Sequence, residues 1–541
     1  MNKTARSSSF MPTSTGRDGI RWWERPSTLL AVALISMVPL LWPEIPPLVD
    51  VPGHIGRYRV ELDLQSSADL QRYYDFRWAL IGNLGVDLLI LPLAPLLGLE
   101  AAVKLVVVTI PALTVLGIFA VSREVHGRVP PTAFFAVPFV YSYPFIYGFI
   151  NFALSAGLSL IAFALWLRFD RTGHLRARAI AFVPISCLLW LMHAFGWGML
   201  GLLAYSSELI RFRERGFGWQ AATIHAVVGT LPLCGPVFLM LIWRNGAAGG
   251  ATVGFLYLPW KLLALFSSLR DRWLLWDSLG VAVPLILIGT AALDKRFGFS
   301  RKLFIPATIF ATAFLLLPYR LFGSAHADMR LAPYAILIAV LAINLRDQSY
   351  RFQARVALLG FLFILFRVSG NAVSLFIGDL DTREKLEALK DIPQGAAVLT
   401  LAASHCSLEW NLPRHWHLGG LIIARKNGFS NDQWQIPGAQ LLSVRYTAAE
   451  PFHDVRSSLV FSTACAKKIN HGRHTAPVNT IERSLSEFPR NAFDYVWLIE
   501  PPDPSFKVPP DLKEVWRGRD SLLYEVESPS RPPQRLKLRD Q

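Results

Sequence analysis

Long apolar runs alternate with short polar, mostly basic ones through the first two thirds of the chain. Runs long enough to cross about 30 Å of hydrocarbon fall at roughly 27–42, 101–121, 131–147, 149–167, 178–192, 194–210, 220–243, 277–293, 303–320, 331–345 and 355–376, about eleven crossings. The 178–192 and 194–210 pair is short and reads as a thin hairpin with His193 at its tip. Two other apolar stretches read as helices lying on the membrane. One is 78–98. Counted as a crossing, it places the strongly basic 168–178 loop outside; laid on the surface, it leaves every basic loop inside. It carries Asn83 and Asp87, one turn apart and so on one helical face, which suits an interfacial or pocket-facing helix. The other is 259–274, where aromatics mix with Lys261, Arg270, Asp271 and Arg272. The Gly246-Ala247-Ala248-Gly249-Gly250 run before it reads as a flexible gate.

Past residue 377 the pattern changes. Apolar runs become short, and 396–401, 495–499 and 522–526 read as buried strands. Arg383 to Lys390 reads as a helix ended by Pro393 and Gly395. The expected organisation is an α-helical polytopic membrane domain over 27–376, with a long first outer loop at 44–100, followed by a small α/β domain over 377–528. Residues 1–26 and 529–541 read as disordered. The first span lacks a small-residue cleavage site and reads as an uncleaved signal anchor.

Composition agrees. Of 541 residues, 52% are hydrophobic and 17% charged, too apolar for a soluble chain of this length. The net charge of +15 would suit nucleic acid, but its excess sits in short loops, among them 168–178, 211–215, 295–302 and 346–355, where it sets topology. No nucleic-acid partner is expected. Of four cysteines, Cys187 and Cys234 lie in apolar spans, and Cys406 and Cys465 could pair if the tail is outside the cytoplasm.

With the N-terminus inside, the 44–100 loop, His193, the 321–330 loop and the tail share the outer face. The 44–100 loop opens on Pro46-Pro47-Leu48-Val49-Asp50-Val51-Pro52-Gly53-His54. A carboxylate there suits a general base, and a histidine four residues on could orient it, bind phosphate or share a metal. The plainer alternative is a loop-capping Asp and a solvated His. Arg320, His326, Asp328 and Arg330 form a second cluster, in which arginine is the natural partner of a phosphate or pyrophosphate. Asp328 and Arg330 could instead simply flank a helix start. His193, shortly before Gly196 and Gly198, suits close approach of a ligand as well as an interfacial site. Asn151 ends an aromatic turn and could line the cavity. His405, Cys406, His415 and His417 match no standard zinc spacing. There is no P-loop, no dinucleotide fingerprint and no nucleophile elbow.

This layout resembles the GT-C glycosyltransferases: one span, a long first outer loop with an acid near its start, helices on the membrane, many spans and a soluble outer tail. The resemblance implies transfer of a sugar, with inversion, from a polyprenyl-phosphate donor to a lipid, glycan or protein acceptor of the cell envelope. It places the reaction at the periplasmic face of a bacterial inner membrane. Asp50 matches the family's catalytic acid of the first outer loop, with His54 beside it. The segment from Asn83 to Glu100 is similar to the family's surface helices, and Asp328-Met329-Arg330-Leu331-Ala332-Pro333 to its carrier-phosphate side. The implied substrate-binding set is Asn83, Asp87, Asn151, His193, Arg320, His326, Asp328 and Arg330. Metal-dependent members carry further acids in the second outer loop, and 141–151 has none. A mechanism without a cofactor is therefore expected, with a divalent metal on Asp50 and His54 left open. A transporter or lipid flippase would be expected to carry related halves, and no internal repeat is visible. In a non-catalytic envelope scaffold Asp50 and His54 would be dispensable.

Overall fold

A computed structural model describes residues 20–242, 252–320, 326–405, 409–435, 440–470, 479–501 and 506–527. The 246–250 glycine run, Cys406 and most of both termini lie outside these residues. The chain is a helical polytopic protein with a small sheet near its C-terminus. Among the described residues six helices are long and apolar enough to cross a membrane: Leu99–His126, Ile150–Arg171, Leu175–Met192, Trp219–Leu241, Leu274–Leu293 and Tyr350–Asp391. Burial ranks them. The apolar window of Ile150–Arg171 is 83% buried and forms the centre of the bundle, whereas that of Trp219–Leu241 is 17% buried and leaves its apolar side chains on the periphery.

Several expected crossings take other forms. The 131–147 run is a 3-10 helix, Pro131–Tyr141, followed by a short helix, Tyr143–Tyr147. Pro138 lies inside the 3-10 helix and lacks the amide an α-helix would use there, and the run is buried along most of its length. The 303–320 and 331–345 runs give Arg301–Leu316 and Ala332–Ala342. The latter ends in Ile343–Leu345, a strand paired antiparallel with Phe297–Phe299. The 78–98 stretch is helical only over Gly85–Leu97, about 20 Å of rise and too short to cross. The 259–274 stretch forms Leu258–Phe266 and a single 3-10 turn. It is not a charged surface helix, because Lys261 is 2% exposed and Arg270 and Asp271 are buried.

The segment from Arg383 to Lys390 is not a separate helix. The last long helix, Tyr350–Leu386, runs on through the 3-10 turn Glu387–Asp391 into the tail. The three expected strands form there. Ala397–Ala403 lies parallel to Phe429–Ser430, Leu459–Val460 and Tyr495–Ile499; Ser521–Val526 and Leu512–Arg517 extend the sheet antiparallel. Cys465 is disulfide-bonded, and Cys187 and Cys234 are free.

A run of buried polar contacts ties the tail to the helices. Arg414 pairs with Asp271 and donates from Nε to the Pro47 carbonyl at 2.7 Å. The indole of Trp410 donates to Asp277 at 2.8 Å, and Asp277 pairs with Arg367 of the last long helix at 3.1 Å. Buried ions persist only when paired and hydrogen-bonded, so these contacts fix the tail against the membrane domain.

Candidate active site

Pro46 and Pro47 stiffen the approach to Asp50, which stands at the N-cap of the helix Val51–Asp63. Its amide donates to the Tyr147 carbonyl at 3.0 Å. The chain passes so close here that a Cβ on Gly148 would lie 2.6 Å from the Asp50 nitrogen, and Gly148 has φ 102°, a left-handed conformation that favours glycine. The Asp50 carboxylate makes no capping bond to the helix, although capping is the usual role of Asp at this position. It is free for another use and only 8% exposed.

The imidazole that Asp50 meets is not that of His54. It is His417, from the tail, with Nε2 3.7 Å from Oδ1 of Asp50. The His54 amide donates to the Asp50 carbonyl at 3.0 Å one turn back, but the imidazole is engaged elsewhere. The His54 ring packs beside Trp434 and Tyr58, and its buried Nδ1 has no hydrogen-bond partner among the described residues. Burial, then the charge of Arg57, hold its pKa well below the ordinary histidine value.

His417 reaches Asp50 because two backbones nearly touch. A Cβ on Gly56 would stand 2.6 Å from the Gly420 carbonyl oxygen, and one on Gly420 would stand 2.3 Å from that of Pro52. The tail helix Gly420–Lys426 thus packs directly on Val51–Asp63, with His417 just ahead of it. On its other side His417 Nδ1 lies 2.7 Å from Oδ1 of the buried Asp432. Burial works against the His417 cation, but Asp432 outweighs it and raises the pKa. Burial also raises Asp50, against the pull of His417 and Arg330, so that its carboxyl is pushed up to about 7. The arrangement is a line of three groups, Asp50, His417 and Asp432, with Arg330 as the second cation acting on Asp50. A carboxyl tuned close to neutrality in a buried site has the character of a general base.

Arg330 is 8% exposed, and its guanidinium lies over the rings of Phe149, Phe195 and Phe152 at 4.5, 5.2 and 5.9 Å. Aromatic faces hold a guanidinium by cation–π attraction in an otherwise apolar setting. His193 shares the cage. Its Nδ1 accepts from the Phe195 amide at 3.1 Å, capping the helix Ala194–Glu214, and its ring meets the edge of Phe152. His326 packs against Tyr147, Phe149 and Tyr319, and burial followed by Arg330 holds its pKa at about 4.

The other expected site residues are engaged differently. Asp328 is a buried counter-ion: its Oδ2 takes Lys261 Nζ at 2.7 Å, and Lys261 also donates to the Phe314 carbonyl at 2.9 Å. Arg320 is exposed, and its backbone bridges to Val253. Asn83, Asp87 and Asn151 do come together, but on one another. The Asn151 amide donates to the Asn83 carbonyl at 3.0 Å and to Asp87 at 3.3 Å, while its oxygen accepts from the Val86 amide at 2.6 Å. Asp87 also takes Arg57 Nη1 and Nη2 at 2.9 and 3.0 Å. The sequence reading missed Asp432, Trp434 and Arg57, weighed His417 only as a zinc ligand and took Lys261 only as a charge of a surface helix. The pair Gly419-Gly420, two residues after His417, was the one local sign of a close approach. Among the described residues, one cluster of three acids has ligand-type atoms within 4.8 Å of one another, Asp381, Glu500 and Asp520, and Lys385 Nζ sits among them.

No family model and no curated protein matches the chain. Two crystal structures are similar to it over 94% of its length. ArnT from Cupriavidus metallidurans bound to undecaprenyl phosphate is 12% identical, covered over 98% of that chain at a TM-score of 0.45. The same protein in the apo state is 13% identical, covered over 99% at a TM-score of 0.44. A likeness at this level transfers no residue role.

Proposed function

We propose that this chain is an integral membrane glycosyltransferase that moves a sugar, with inversion, from a polyprenyl phosphate to a cell-envelope acceptor. One observation carries the reading: a buried carboxylate pushed towards neutrality faces an imidazole held by a second acid and an arginine caged by aromatic rings. The Asp50 carboxylate takes the proton of an acceptor hydroxyl or amine. The acceptor atom attacks the anomeric carbon from the side opposite the carrier. The bond from that carbon to the phosphate oxygen breaks, and the polyprenyl phosphate leaves as an anion. Arg330 neutralises that anion in a site of low dielectric, where a fixed cation counts for much more than in water. His417, held by Asp432, sets the basicity of Asp50. His54 and Trp434 form a neutral wall, His193 and His326 shape the phosphate side, and Asn83, Asp87 and Asn151 position the helices rather than touch substrate. On this reading the site opens at the periplasmic face of an inner membrane, and the tail from residue 377 is an outer α/β domain that completes it.

The test is transfer in membranes supplied with a panel of radiolabelled polyprenyl-phosphate sugars. Label should pass to an acceptor with the wild-type protein and not with Asp50→Asn. No transfer from any donor by folded wild type counts against the reading.

A further inference from the structure

A cavity of about 700 Å³ lies apart from Asp50, at the carboxyl ends of the parallel strands Ala397–Ala403 and Tyr495–Ile499. Ser404 follows the first strand and Glu500 the second, and both line it. Open α/β sheets bind ligands at this end of their strands, and the volume is that of a small-molecule site. Glu500 has φ 51°, a left-handed conformation rare outside glycine and found disproportionately at ligand sites.

The wall is rich in charge, and the charges are unequally satisfied. Lys385 Nζ lies 2.6, 3.2 and 3.1 Å from Asp381, Glu500 and Asp520. Glu500 also faces His415 at 3.1 Å; burial would raise its pKa, but His415 and Lys385 outweigh that and hold it at about 2. Glu409 faces His405 at 3.3 Å, and Glu384 accepts the Arg519 amide at 2.7 Å. Each acid of the wall therefore has a cation or an amide beside it, although Glu384 Oε2 and Asp520 Oδ1 make no hydrogen bond among the described residues. Arg272, which also lines the cavity, makes no hydrogen bond or close ion pair among the described residues, and Asp271, Asp381 and Glu500 act on it only from a longer distance. Arg414 beside it leaves Nη1 without a partner there, although its Nε and Nη2 are bonded. Trp416, anchored by its indole donating to the Ala403 carbonyl at 3.2 Å, adds a flat apolar face.

We propose that this cavity binds a saccharide bearing an oxyanion, its phosphoryl or carboxylate group on Arg272 and Arg414 and its ring against Trp416. A guanidinium fork matches either oxyanion, and an aromatic face matches the apolar side of a sugar ring. The proposal does not depend on the transferase reading. The test is equilibrium binding to the full chain in detergent micelles, with glucose 1-phosphate, glucuronate and glucose as probes. At least one anionic sugar should bind, with glucose weaker by about tenfold or more. Comparing the two anionic probes tells phosphoryl from carboxylate recognition. Arg272→Gln should weaken the anionic probe about tenfold without changing the melting temperature, and Asp50→Asn should leave binding unchanged. Arg272→Met, which keeps the packing of the stem, serves if the Gln variant folds poorly. Absence of binding by folded wild type, equal binding of glucose, or undiminished binding by both Arg272 variants would overturn the proposal.

Discussion

Two buried polar clusters lie along the helix Val51–Asp63, one at its N-terminus and one a turn or two further on, and they differ in how closely their carboxylates are paired with a base. In the second, Arg57 and Asp87 exchange two short contacts, and Asn83 and Asn151 are bonded to each other and to their surroundings. Such a network fixes helices against one another. In the first, Asp50 stands 3.7 Å from its imidazole, makes no capping bond, and has a pKa displaced towards 7 by burial. In composition the two are alike, both built from acids, bases and amides in an apolar protein. Pairing separates them: a carboxylate met by a guanidinium at 2.9 and 3.0 Å holds structure, and one whose imidazole stands 3.7 Å away is poised for chemistry.

That contrast can be broken at several points. Arg57→Met strands Asp87 in the interior, and removing one partner of a buried pair costs about 3–5 kcal/mol. The expected result is a large fall in melting temperature or in the yield of folded protein, with Arg57→Met/Asp87→Leu recovering most of it. His417→Gln takes the imidazole from the buried Asp432, so it should lower the melting temperature too, and it should lower transfer at pH 7 by about fivefold if the Asp50 pKa rises by about one unit. The sign follows from the charges. The His417 cation lowers the pKa of Asp50, so its loss raises that pKa, leaves less carboxylate at pH 7, and moves the acid limb of the pH–rate profile to higher pH. A merely structural His417 would leave that limb in place.

Stability should move the other way at Asp50. Its carboxyl is raised in the fold from 3.8 to about 7, so ionisation opposes folding, and stability falls as pH rises from about 4 through 7. Asp50→Asn has no such carboxyl and should melt higher than wild type above pH 7 while being inactive. The smallest expected effect is at Arg425, which pairs with Glu100 at 2.8 Å where both side chains are partly exposed. Arg425→Ala should cost less than about 1 kcal/mol by chemical denaturation.

The sequence carried much of the membrane domain, since apolar length is a local property. It did not show that 131–147 is a 3-10 helix and a short α-helix instead of one α-helix, or that Lys261 is buried, which depends on a distant partner, Asp328. The tail strands were visible as short apolar runs, whereas the continuity of Tyr350–Leu386 into the tail was not. At the site, Asp50 and Arg330 stood out because a carboxylate and a guanidinium beside apolar spans have few structural uses. His417 did not, because what brings it to Asp50 is the contact of Gly56 with Gly420, a tertiary fact without a local pattern. Asn83 and Asp87 read as one helical face and Asn151 as a cavity residue, whereas Asn83 precedes the helix Gly85–Leu97 and Asn151 bonds to both, a contact settled only in three dimensions.

The central claim is that Asp50 is the base of a sugar transfer, and the rate of transfer by purified wild type and Asp50→Asn at pH 8, from a polyprenyl-phosphate sugar that wild type accepts, tests it most directly. The account predicts a loss of about a hundredfold or more, the usual contribution of a positioned general base, in a variant that melts no lower than wild type. Transfer by Asp50→Asn at the wild-type rate would contradict it.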